Sequence, residues 1–354
     1  MNVSEIISGI EGTDINFIDR ARKRTAKLAM PQRALGELHV IGERLCGIRR
    51  TLKPSVKEKA FLVAAGDHGI ARSSVSAYPQ VVTGEMVKAF LRGGAGINAL
   101  SRQIKARVIV VDVGIIPDIH PQTSEGGRLI VRKVARGTED FSKGPAMTKD
   151  QAEYAIVQGF EAAKELFEEG VELLGTGDMG IGNTSPSSAI GAVITRAPVE
   201  NMTGRGTGID NKGLQRKCET IKRGIEINNP KPEDSLDVLS KVGGFEIGAI
   251  AGAILAAAFF KRPVVVDGFI SGAGALIAYG LCPAVTDYMF AGHQSAEQGH
   301  KIMLEYLGLS PILDLGMRLG EGTGAALSMH IIEAAALIIK EVLTFEEAGV
   351  SKDI

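Results

Sequence analysis

Val171-Glu-Leu-Leu-Gly175-Thr-Gly177-Asp-Met-Gly180-Ile-Gly182-Asn-Thr-Ser-Pro186 decides the fold class. An apolar run, Val171–Leu174, meets a Gly-rich turn, and a helical pattern follows. The same order recurs along the chain. Phe61–Ala65, Val108–Val113, Val264–Asp267 and Ile312–Leu315 are β-branched or Leu-rich runs that end in or next to Gly or Asp, most followed by a Gly-rich turn and a helical stretch. Unbroken apolar runs belong to strands buried on both faces, and strands alternating with helices build a parallel sheet. The chain therefore reads as α/β, a parallel sheet with helices on both faces. In such sheets ligands bind beyond the carboxyl ends of the strands, which is where the Gly-rich turns fall.

Composition supports a large core built from small side chains. The chain has 354 residues, 44 of them Gly, no Trp, and 45% hydrophobic residues. That length allows one large domain with a smaller companion. Residues Asp14 to Lys27, Pro31 to Arg50 and the last 30 look helical, and these ends are able to pair into a small helical lobe. The boundaries expected are 1–55 with 325–354 for the small lobe and 56–324 for the large domain. Asn228 to Asp234 reads as a surface connection.

Forty Lys and Arg against 41 Asp and Glu give a formal charge of -1, which argues against nucleic acid or an acidic membrane as partner. Cys46, Cys218 and Cys282 have no paired spacing, as suits a reducing compartment without structural zinc. No basic stretch followed by an apolar run opens the chain. The apolar run Ile331 to Ile339 contains Glu333 and is short for a bilayer. The expected location is the cytoplasm.

Three motifs carry chemistry. Gly175-Thr-Gly177-Asp-Met-Gly180 formally fits a dinucleotide fingerprint, but no acidic residue closes a second strand about 20 positions on. A nest of backbone N–H groups for a single phosphate fits better; a turn that only packs strand on helix is the plain alternative. Gly204-Arg-Gly-Thr-Gly208, followed by Lys212, Arg216 and Lys217 on a helix, is a second anion candidate, although such cations are often merely solvated. Glu321 lies in Met317-Arg-Leu-Gly-Glu-Gly-Thr-Gly-Ala-Ala326. Glycines on both sides leave its carboxylate room to approach a substrate, and desolvation would raise its basicity toward that of a general base.

Asp67 and Asp267 occupy equivalent strand-end positions, where Asp can hold a ribose hydroxyl or a loop backbone. His293 and His300 are seven apart and poorly spaced for chelation, so neither a metal nor a cofactor is expected.

Taken together and in order, these segments resemble the nicotinate-nucleotide:dimethylbenzimidazole phosphoribosyltransferase family, enzymes of cobalamin lower-ligand assembly. The likeness runs through Ala65-Gly-Asp-His-Gly69, Val75-Ser-Ala-Tyr-Pro-Gln80, Arg92-Gly-Gly-Ala-Gly-Ile-Asn98, Val111-Asp-Val-Gly114 and Gly144-Pro-Ala-Met147. It continues through Met179-Gly-Ile-Gly-Asn-Thr184, Val242-Gly-Gly-Phe-Glu246, Val266-Asp-Gly-Phe269, Ser295-Ala-Glu297 and Met317–Gly324.

The resemblance implies a Rossmann-like large domain, a small helical domain from the chain ends, and a homodimer whose sites receive partner residues. It implies nicotinate mononucleotide as donor, a lower-ligand base as acceptor, inversion to an α-riboside, and Glu321 as catalytic base. Asp178 stands where the family usually has Glu as the second active-site carboxylate. Gly180, Gly182, Gly208, Lys217 and Ser295 fall on phosphate-binding positions, and Asn183 and Asp267 join the substrate-binding set. Tyr78, Met86, Met179 and Leu319 would wall the base pocket. Ala291-Gly-His-Gln294 departs from the Ser that many members carry before the His. A branch acting on phenol and p-cresol as two paralogous subunits is the alternative that Asp178 raises. A catalytically silent subunit and an NAD-dependent oxidoreductase are the rivals from other classes.

Overall fold

The structure, a computed structural model, describes residues 1–119 and 126–351. Seven strands form one parallel sheet: β1 (Lys59–Gly66), β2 (Arg107–Gly114), β3 (Arg128–Val131), β4 (Leu173–Met179), β5 (Val264–Val266), β6 (Met289–His293) and β7 (Pro311–Leu313). Their order is β3-β2-β1-β4-β5-β6-β7. The chain thus winds one way from β1 to β3 and the other way from β4 to β7. This is the Rossmann order extended by one strand, and the reversal between β1 and β4 opens a crevice at their carboxyl ends.

Side-chain size explains the helical layers. Helix Phe245–Phe259 is apolar all round and nearly every residue is buried. It lies against Lys149–Glu168 so closely that a Cβ on Gly252 would stand 1.8 Å from the Ile156 carbonyl oxygen, and one on Gly159 would stand 1.9 Å from that of Ala249. Backbone-to-backbone approach of this kind excludes bulky residues, which accounts for a core of Ala, Gly, Val and Ile. Gly96–Gln103 and Thr323–Glu341 cover the other face.

Sequence and structure part at several elements. β4 does not stop at Leu174; it runs through Gly175-Thr-Gly177-Asp-Met179. Glycine suits these strand positions because the space for a side chain is taken: a Cβ on Gly175 would meet the ring of its cross-strand partner Phe61 at 2.5 Å. The turn proper is 180–183, ahead of helix Thr184–Thr195. β3 and β6 are strands that apolar runs did not announce, the first being a four-residue edge and the second containing Gly292. β7 ends at Leu313 rather than Leu315. The helix expected from Pro31 begins at Glu37, since Arg33 and Gly36 adopt left-handed backbone (φ 57° and 50°).

Helices Ile15–Thr25 and Glu37–Arg49 pack on each other and on Thr323–Glu341. Arg24 Nε donates to the Ile339 carbonyl (2.9 Å), and Leu28 bridges to Thr344. Thr323–Glu341 also lies against β4 to β7, so it serves both the sheet and the terminal helices. Residues 352–354 of the expected small lobe lie outside the described residues. By length and composition this one helix among the described residues could cross a bilayer. Here its apolar side is core, and Glu333, the charge that interrupts it, pairs with buried Lys59 at 2.9 Å.

Candidate active site

Between β7 and Thr323 the chain makes an uncommon turn. Gly320, Glu321 and Gly322 all have left-handed backbone, with φ of 84°, 63° and 97°. For a residue with a Cβ this conformation costs about 1–2 kcal/mol, so Glu321 needs external support. Thr323 donates to the Gly320 carbonyl from both its N–H (3.0 Å) and its hydroxyl (2.8 Å). Asp267, at the end of β5, accepts from Gly322 N (3.2 Å) and Ala325 N (2.9 Å). The loop also presses on β4.

The Glu321 side chain is 5% exposed. Its Oε2 accepts from the Ile97 N–H at 3.0 Å, in the first turn of Gly96–Gln103. Burial pushes the carboxyl above its ordinary range. The Ile97 and Gly96 N–H groups pull it down, and the charge of Asp267 pushes it up again. A buried, basic carboxylate at the sheet's ligand edge is suited to take a proton.

Asp178 closes β4 on the other side of that loop. Its Oδ2 accepts from Asn183 Nδ2 at 2.9 Å, and a Cβ on Gly320 would stand 3.1 Å from its Oδ1. Burial drives this carboxyl well above the usual range; Asp267, Glu246 and Glu321 add to the rise, and Asn183 opposes it. Glu246 is itself buried and bonded to His68 at 2.9 Å. Carboxylates thus gather at the crevice with few cations to balance them.

The Gly204–Gly208 loop is braced at several points. Lys217 Nζ donates to the Gly204 carbonyl (3.2 Å) and to Thr184 Oγ1 (2.8 Å). Glu297 Oε1 accepts from Gly206 N (3.0 Å), and Arg318 Nη1 donates to Gly206 O (2.9 Å). Thr207 Oγ1 holds Ala77 N (2.9 Å) and Ser76 Oγ (3.1 Å), tying the loop to the segment that carries Tyr78. Lys217 is wholly buried, and burial lowers its pKa to about 8 despite the charge of Glu297. Lys212 and Arg216 point to solvent.

These groups surround a cavity of about 540 Å³. Tyr78, Met86, Asp178, Met179, Gly180, Asn183, Ser295, Leu319 and Glu321 line it, as expected from the sequence. Gly182, Gly208, Lys217 and Asp267 do not. Gly182 backs onto Ala71, and Gly208 N donates to the Arg205 carbonyl. Lys217 lies beneath the Gly204–Gly208 loop. Asp267 is fully buried with both oxygens on backbone N–H groups, so it holds a loop rather than a ribose hydroxyl.

The sequence reading weighed His293 only as a metal ligand and passed over Glu297, Thr207 and Arg318; all four are on the wall. Arg318 and Glu297 stood inside quoted motifs, and their charge beside Gly-rich turns was the signal. Among the described residues no three His, Cys, Asp or Glu side chains form a metal-binding group.

The phosphoribosyltransferase family model matches residues 10–350. A Desulforudis audaxviator protein described as nicotinate-nucleotide–dimethylbenzimidazole phosphoribosyltransferase is 53% identical over 332 residues, covering 94% of this chain and 93% of its own. A Chloroflexus aurantiacus protein of the same description is 50% identical over 352 residues, with 99% of both chains covered. The crystal structure of the Thermus thermophilus enzyme of that description superposes with a TM-score of 0.90 at 43% identity. It covers 96% of this chain and 100% of that one.

Proposed function

The chain belongs to the nicotinate-nucleotide–dimethylbenzimidazole phosphoribosyltransferase family, and on that premise we propose how its residues carry out the transfer. The protein moves 5-phosphoribose from nicotinate mononucleotide to 5,6-dimethylbenzimidazole in cobalamin biosynthesis. The observation that supports this assignment of roles is the buried Glu321 carboxylate on one wall of a cavity whose other side offers Gly180, Ser295 and Arg318 to an anion.

The donor's leaving group is a pyridinium. When its bond to ribose C1′ breaks, the electron pair returns to nitrogen and neutralises it, so departure needs no acid. The unprotonated ring nitrogen of the acceptor forms the new bond to C1′ from the opposite face, converting a β- to an α-riboside. The acceptor's N–H proton passes to Glu321. With Oε2 tied to Ile97, Oε1 is the oxygen that receives it.

Asp178 faces the positive charge that develops on the ribose. Gly180, Asn183, Ser295 and Arg318 hold the donor phosphate, and Lys217 sets the Gly204–Gly208 loop from beneath. Binding energy at the phosphate thereby fixes the reacting carbon. Tyr78, Met86, Met179 and Leu319 enclose the acceptor ring. Residues 1–55 and 325–354 act as a small lobe beside 56–324, and the chain works as a cytoplasmic homodimer.

The phenol and p-cresol reading is not favoured, because the relatives at 50–53% identity are described as dimethylbenzimidazole enzymes. The test is an acceptor panel of dimethylbenzimidazole, adenine, phenol and p-cresol with nicotinate mononucleotide, products being identified by mass. Dimethylbenzimidazole is expected to give the fastest α-riboside phosphate formation from the purified chain alone. A preference for phenols, or no turnover without a second subunit, would overturn the assignment.

A further inference from the structure

The family assignment leaves open what keeps Glu321 in place, and the left-handed run 320–322 makes that a physical question. A loop of this conformation relaxes unless its surroundings over-determine it. Thr323 binds the loop to itself, which closes the turn but does not attach it to the sheet. Besides the backbone packing of Glu321 on Gly177 of β4, the hydrogen-bonded attachment is Asp267. It ends β5 with no exposed surface, and its two oxygens accept from Gly322 N and Ala325 N on either side of the helix start.

Its surroundings leave it little freedom. His293 Nε2 lies 3.9 Å from Asp267 Oδ1, and the imidazole is wedged between Gly324 and Gly268. A Cβ on Gly324 would come within 1.9 Å of His293 Cδ2 and one on Gly268 within 2.9 Å of Nε2. The adjacent Phe269 begins the next helix. Asp267 is thus a fixed post on the sheet that meets the residue directly after Glu321.

We propose that Asp267 is a positioning residue for the transfer: its buried carboxylate, clamped on Gly322 and Ala325, holds the left-handed loop that aims Glu321 into the cavity. It also occupies N–H groups at the start of Thr323–Glu341 that could otherwise attract the Glu321 carboxylate. Its negative charge, close to Glu321, opposes a second one and so raises the affinity of Glu321 for the acceptor proton. The other charged or titratable groups facing this point are Asp178 across Gly320 and His293 across Gly324, with Glu246 and its partner His68 behind Asp178.

This inference rests on the reading of Glu321 as base, and the experiment separates the two. In Asp267→Asn the Oδ1 acceptor for Ala325 can remain, while an NH2 group faces the Gly322 N–H. The expected kcat loss is about 10- to 100-fold, with the KM for nicotinate mononucleotide unchanged within about 3-fold. The acid limb of the kcat profile should move to lower pH, because removal of a neighbouring negative charge makes Glu321 easier to ionise. An unchanged kcat and acid limb would overturn the proposal, and so would a large rise in donor KM at constant kcat, the mark of a ribose contact. In Glu321→Gln, retained turnover would instead dismiss the base reading. A further measurement needs no variant: the Gly322 and Ala325 amides of the wild-type protein should exchange hydrogen slowly, and exchange as fast as in exposed loops would refute the clamp.

Discussion

Gly177 and Glu321 meet backbone to backbone: a Cβ on Gly177 would stand 2.4 Å from the Glu321 carbonyl oxygen. The strand that ends in Asp178 and the loop that carries Glu321 are therefore in direct main-chain contact. The relative placement of the two carboxylates is set by the sheet, not by side-chain rotamers alone. A rigid frame of this kind is what transfer between two bound reactants requires.

Gly177→Ala tests that contact. The added methyl has no space, so overpacking should lower stability by about 1–3 kcal/mol. Displacement of Glu321 should lower kcat by at least about 10-fold. Thermal unfolding and steady-state kinetics measure both, and wild-type values for each would contradict the contact.

Glu321→Gln keeps the side-chain size and an oxygen for the Ile97 N–H but removes the proton acceptor. Turnover should fall by about 10²- to 10⁴-fold, while calorimetry shows nicotinate mononucleotide binding nearly intact. Near-normal turnover would take Glu321 out of the role.

Asp178→Asn removes a buried charge while its Oδ1 can still accept from Asn183. The Asp178 carboxyl is raised in the folded state, mainly by burial. The native chain therefore holds this proton more tightly than the unfolded chain does. Its stabilising effect is present at low pH and is lost as pH rises from the ordinary carboxylate range through the raised value. The Tm of the Asn variant relative to wild type should accordingly increase as pH rises above the ordinary carboxylate range. Its kcat should fall by about 10-fold or more if Asp178 faces charge on the ribose. A Tm difference that does not vary with pH would count against the buried charge.

Lys217 predicts a pH effect at the other end of the range. With its pKa drawn down to about 8, the ammonium beneath the Gly204–Gly208 loop deprotonates above that pH. Donor affinity should weaken as pH rises through about 8, measured as a rising KM for nicotinate mononucleotide. Lys217→Ala should weaken donor binding at neutral pH and flatten that dependence. Unchanged donor affinity in the variant would remove Lys217 from phosphate binding, direct or indirect.

Much of the site was legible because Gly-rich turns after apolar runs mark the ligand edge of a parallel sheet. Glu321, Asp178, Asn183 and Ser295 follow from that rule and from motif order. For Asp267 the sequence left a ribose hydroxyl and a loop backbone both open, because strand-end Asp residues look alike; only contact shows that its oxygens meet backbone N–H groups. Arg318 and Glu297 were passed over because charged residues near Gly turns are common, and what distinguishes these two is their grip on opposite sides of Gly206.

Local periodicity and residue size determined by themselves that this chain would build a parallel sheet with helices on both faces, since burying apolar runs on two sides leaves few other arrangements. The strand order, the extension of β4 through its glycines and the left-handed turn at Glu321 were decided by tertiary packing. Gly175 and Gly177 are extended by pairing with β1, and they are glycine because Phe61 and the 320–322 loop occupy the space where side chains would go. Sequence records that a residue is small; it does not record which distant neighbour takes up the room.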